Sequence, residues 1–118
     1  MTNGRNIKFG AFVRQERMGK EFGLRQMAKM IGVSPTYLSK VERDEFPPPA
    51  EDKVRKIAEI LEIDVDELLA LAGKVSSDLS EIIREHPREL AALLRTTRGM
   101  TADDVVRLAR EAKKTEGD

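Results

Sequence analysis

Apolar residues recur at helical spacing along most of this chain, and polar, glycine or proline steps cut the pattern into short blocks. Ile7, Phe9, Phe12 and Val13 share one face of a helix predicted over residues 7–18. Over residues 24–43, the apolar positions Met27, Ile31, Val33, Leu38 and Val41 form two stripes broken at Gly32. Two short helices crossing at a sharp angle need that distribution, with a small residue, Ala28, where they touch. Gly32 ends the first helix through a left-handed cap, Ser34 caps the second, and Pro35 fills its first turn. The run Asp44-Glu45-Phe46-Pro47-Pro48-Pro49 follows, and its prolines are expected to end that helix and launch the next.

Val54, Ile57, Ala58 and Leu61 mark a helix over residues 50–62 with Glu51 and Asp52 in its first turn. Asp64 caps another over residues 65–72, with Leu68, Leu69 and Leu71 inward and Gly73 as the stop. Residues 74–77 read as a hinge. Beyond it, Ser77 or Asp78 caps a helix carrying Leu79, Ile82 and Ile83, and Pro87 opens another bearing Leu90, Leu93 and Leu94. Gly99 stops that one, and Thr101-Ala102-Asp103-Asp104 caps a last helix with Val105, Val106, Leu108 and Ala109. The first six residues are expected to fray, unless Arg5 and Lys8 make a basic arm of them, and the last four to be loose. The chain is therefore expected to be all-α: a five-helix unit over residues 1–74, then a helical segment over residues 75–118.

Composition narrows the class without naming it. Hydrophobic residues make up 40% and charged residues 36%, as in a globular, helix-rich protein. No apolar run approaches the ~18 residues of a membrane span, and the absence of cysteine removes disulfide and thiolate chemistry, so the cytoplasm is the expected location. The net charge of zero hides a strong polarity. Residues 1–43 hold nine Lys/Arg against three Asp/Glu, and residues 44–73 hold three against nine. A basic amino-terminal third is the electrostatic footprint that phosphate contact requires.

Catalytic chemistry finds little to work with. The single histidine, His86, stands directly before Pro87, and there is no nucleophile elbow, phosphate-cradling glycine loop or metal-ligand spacing. No enzyme activity, cofactor or metal is expected, and the Met and Leu stripes read as core.

The pair of helices over residues 24–43 is a helix-turn-helix of the kind that inserts its second helix in the DNA major groove. From Phe9 to Gly73 the chain resembles the Xre family of regulators, which includes the lambdoid phage repressors and Cro. The resemblance rests on Gly10, Val13, Arg14 and Arg17; on Met27-Ala28 and Ile31-Gly32-Val33-Ser34; on the run from Tyr37 to Arg43; and on Pro47-Pro48-Pro49, Ile57-Ala58 and Leu61. Glu16 and Gly23 depart from it, standing where an apolar residue and a Ser or Thr cap are usual.

The resemblance implies a sequence-specific regulator of transcription bound to double-stranded DNA, a repressor by analogy. It implies a lambda-repressor-like domain in which Arg17 pairs with Glu42, with Arg17 also a phosphate candidate. Pro35, Thr36, Ser39 and Lys40 would face base edges, with Lys40 the best reader of guanine. Arg25, Gln26, Tyr37, Arg43 and Lys29 would meet phosphates. The tail lies outside the resemblance; its apolar residues Leu79, Ile82, Ile83, Leu90, Leu93, Leu94, Val105 and Leu108 would meet the same tail in a second copy, giving a homodimer on a palindromic operator, or else the back of the helix over residues 65–72. The alternative is an antitoxin-type or protease-controlled regulator whose tail binds a partner protein.

Overall fold

The computed structural model describes residues 7–117 and shows helices and turns, with no strand among them. The helices are α1 (Phe9–Gly19), α2 (Leu24–Ile31), α3 (Pro35–Glu42), α4 (Glu51–Leu61), α5 (Val65–Leu71), α6 (Ser77–Glu85), α7 (Pro87–Thr96) and α8 (Ala102–Gly117). The chain divides into two compact units, Met1–Ser77 and Asp78–Asp118.

In the first unit the apolar stripes close on one another. Helix α1 packs on α3, α2 on both α3 and α4, and α4 on α5. Val13, Met27, Ala28, Ile31, Leu38, Val54, Ile57, Ala58 and Leu69 are wholly buried, and Phe9, Val41, Leu61 and Leu68 nearly so. Gly32 adopts φ +78° as the C-cap of α2, and the Ser34 hydroxyl accepts from the Tyr37 N–H at 3.0 Å to cap α3. Asp64 caps α5 in the same way through the Glu67 N–H, also at 3.0 Å.

Contacts distant in sequence fix how α1 meets α3. A Cβ on Gly10 would fall 2.0 Å from the Val41 carbonyl oxygen, so only glycine lets the two helices approach this closely. Lys8, the N-cap residue of α1, provides no side-chain cap. Asp44 does so instead from beyond α3: its carboxylate accepts from the Gly10 N–H at 2.8 Å and the Ala11 N–H at 3.2 Å.

Several expected boundaries move. Helix α1 begins at Phe9, leaving Ile7 half-buried ahead of it. Helix α3 is not ended by the prolines: it stops at Glu42, and Asp44 turns the chain at φ +60° before they are reached. Helix α4 starts at Glu51 from an extended Ala50. It ends on Glu62 at φ +57°, a left-handed turn made without glycine. Lys8 is exposed, and Arg5 with the rest of residues 1–6 lies outside the described residues.

In the second unit, Pro87 opens α7 and Gly99 turns at φ +88°, after which Thr101 and Asp104 form a reciprocal capping pair at the start of α8. Helix α8 continues through Gly117, where a loose end was expected. Neither α6 nor α7 buries a residue fully.

Candidate nucleic-acid interface

Helix α3 has an inner face, Leu38, Val41 and Glu42, taken by the core, which leaves its remaining side chains outward. Thr36 is exposed, while Pro35, Ser39 and Lys40 are half-buried. A shallow groove between α2 and α3 is lined by Leu24, Arg25, Pro35, Thr36, Ser39 and Arg43. Three of the four base-facing candidates thus share one depression with two arginines. Lys40 is not among them. Its ammonium lies over the Phe46 ring, 5.3 Å from the centroid, and the same ring tilts against Tyr37 with centroids 5.8 Å apart.

The phosphate candidates differ in how free they are. Arg25 and Lys29 are exposed on α2, one turn apart on the same side. The Gln26 side-chain oxygen accepts from the Gly23 N–H at 3.3 Å, the N3-to-N-cap half of a capping box whose other half glycine has no side chain to supply. Arg43 is exposed and lies 3.5 Å from Glu45, an ion pair too solvated to hold it firmly. Tyr37 is half-buried against Phe46.

Arg17 leaves the phosphate set. It is buried, and its Nε and Nη2 donate to Glu42 Oε2 and Oε1 at 2.8 and 2.9 Å while Nη1 donates to the Phe22 carbonyl at 2.8 Å. The hydrogen bond to Glu42 raises the Arg17 pKa above its ordinary value against the opposing effect of burial. Arg17 therefore ties α1 to the carboxyl end of α3.

Two residues escape a reading of the sequence. Phe46 stands there only as part of a loop before prolines, and Arg14 only as a motif position. Arg14 is exposed in a second groove, lined also by Ala11, Gln15, Met18, Glu42 and Arg43, so the basic rim continues onto α1. A basic residue on the outer face of the predicted first helix was the available signal for Arg14.

The profile of the helix-turn-helix domain family matches residues 10–74, which spans α1 to α5. The chain belongs to that family. An uncharacterized HTH-type transcriptional regulator of Mycobacterium tuberculosis is 33% identical over 76 residues, covering 64% of this chain and 54% of that protein. SlrR, an HTH-type transcriptional regulator of Bacillus subtilis, is 36% identical over 59 residues, 50% of this chain and 39% of SlrR. The solved N-terminal DNA-binding domain of SinR from Bacillus subtilis is 31% identical with a TM-score of 0.47, covering 52% of this chain and 88% of that one. The chain spans about half the length of the curated relatives it matches, or less. Among the described residues no helix is long and apolar enough to cross a membrane, and no cluster of His, Asp and Glu could hold a metal ion.

Proposed function

We propose that this protein is a sequence-specific double-stranded DNA-binding regulator of transcription, a cytoplasmic repressor acting as a dimer on a palindromic operator. The observation that carries the reading is the outer face of α3. It is capped and angled by core contacts, left free of the core along Thr36, Ser39 and Lys40, and bordered by Arg25 and Arg43. Membership of the helix-turn-helix family and the regulators it resembles support the same reading. Pro35, Thr36, Ser39 and Lys40 meet base edges, and Arg25, Gln26, Lys29, Tyr37 and Arg43 meet the backbone on either side.

Selection from random duplexes tests this directly, since protein that enriches no sequence over competitor at moderate salt ends the proposal. On the selected site, Lys40→Ala relaxes preference at one base pair by about 1–3 kcal/mol. Arg25→Ala weakens all sequences alike and flattens the salt dependence by about 0.9 log units per decade.

The tail supports association. Leu79, Ile82, Leu93, Leu94, Val105 and Leu108 are between 37% and 55% exposed, while Ile83 and Leu90 are half-buried, so these helices carry apolar faces their own unit does not cover. A second copy covering them would pair two recognition helices about one DNA turn, roughly 34 Å, apart. That same exposure also favours the second reading, in which a different protein occupies the tail. Sedimentation of the purified chain separates the two: a dimer supports self-association, and a monomer that forms a stoichiometric complex with another protein supports the alternative.

A further inference from the structure

Phe46 is 40% exposed, yet its surroundings hold it in place. Asp44 turns the chain left-handed and is itself anchored to the start of α1. The N–H groups of Glu45 and Phe46 then both donate to the Lys40 carbonyl, at 2.9 and 3.3 Å. Pro47 restricts the backbone of the residue before it to extended conformations. The loop is thus folded back over the end of α3, and the Phe46 ring meets Tyr37 and Lys40, three residues apart and neighbours on one side of that helix.

We propose that Phe46 is the positioning residue for Lys40, holding its ammonium at one edge of the recognition helix and so fixing which base pair it reads. The inference rests on the reading of α3 as the DNA-recognition helix. A lysine head on a four-carbon stem otherwise samples many directions, and a base contact needs one of them. A carboxylate would also hold the ammonium, but it would cancel the charge that DNA must meet. The face of an aromatic ring restrains the cation and leaves its charge in place. Among the described residues no carboxylate pairs with Lys40, so the ring is what orients it. Over the ring, Lys40 stands outside the groove that Arg25, Thr36 and Ser39 line, so the base pair it reads is distinct from the one they face.

The test uses the full chain and the duplex it selects, with each base pair varied in turn. Lys40→Ala first identifies the base pair that Lys40 reads. Phe46→Leu keeps an apolar side chain against Tyr37 but removes the π face. It is expected to lower discrimination at that one base pair about two- to fivefold. Phe46→Trp, which retains the face, is expected to keep or raise discrimination there, and Phe46→Leu in the Lys40→Ala background is expected to change nothing further. Helical circular dichroism checks that each variant is folded, and Phe46→Trp remains as an independent arm if Phe46→Leu is not. An even loss of affinity over all duplexes, or an equal effect of Phe46→Leu with and without Lys40, would overturn the positioning role while leaving the DNA reading intact. Wild-type protein that selects no duplex overturns the DNA reading itself and this inference with it.

Discussion

Replacing Glu42 by glutamine removes one charge from the pair that joins α1 to α3. In the native protein both carboxylate oxygens accept from Arg17, and the two residues are only 9% and 4% exposed. Arginine cannot shed its proton to escape burial, and here its pKa is pushed higher still by Glu42. Glu42→Gln therefore leaves a full positive charge with no counter-ion, its internal acceptors reduced to the glutamine oxygen and the Phe22 carbonyl. Breaking a buried pair on one side costs about 3–5 kcal/mol. Glutamine retains one acceptor oxygen, which places the loss near the lower end, about 3 kcal/mol. With a urea m-value of about 1 kcal/mol/M for so small a domain, the unfolding midpoint falls by roughly 3 M. The chain has no tryptophan, so far-UV circular dichroism is the natural probe. The double replacement Arg17→Met with Glu42→Leu removes both charges together and should recover most of the loss. A loss below about 1 kcal/mol for Glu42→Gln, or a double variant as unstable as the two single losses added, would refute the account.

Single contacts give three further expectations. Asp44→Ala removes the cap on α1 and should cost about 1 kcal/mol in urea unfolding, whereas an unchanged midpoint would show that solvent satisfies the Gly10 and Ala11 N–H groups as well. Glu62→Gly should stabilise the first unit by about 1 kcal/mol, because Glu62 holds a left-handed conformation that glycine adopts freely; its exposed contact with Lys20, at 4.0 Å, offsets little. The Arg55 guanidinium, and then the Ser77 N–H, hold the Glu51 carboxyl below the usual carboxylate range. This tie is present above the ordinary carboxylate pKa and is lost as pH falls through the depressed value. The Ser77 amide resonance should titrate there by NMR, below an ordinary glutamate, and the titration should vanish in Glu51→Gln; a midpoint at or above the ordinary value would break the link.

Features that depend on a few neighbouring residues are legible in the sequence alone. The turn at Gly32, the cap at Ser34, the proline opening α7 and the Thr101–Asp104 cap each close within a few positions, so residue type and spacing suffice. The core of the first unit follows from apolar spacing for the same reason. The pairing of Arg17 with Glu42 comes from family resemblance, since nothing local to either residue points to the other.

What the chain's own order determined was the succession of short helices, which face of each is apolar, and that a basic segment precedes an acidic one. Only the folded molecule decided that Asp44 caps a helix 34 positions back. The fold likewise left no room for a side chain on Gly10, withdrew Arg17 from the surface and turned Lys40 onto Phe46 instead of into the groove beside Thr36. The physical reason is common to all four. Backbone hydrogen bonds and helical periodicity are short-range and written in adjacent residues, whereas the room beside a glycine and the direction of a polar side chain depend on which distant element has packed there.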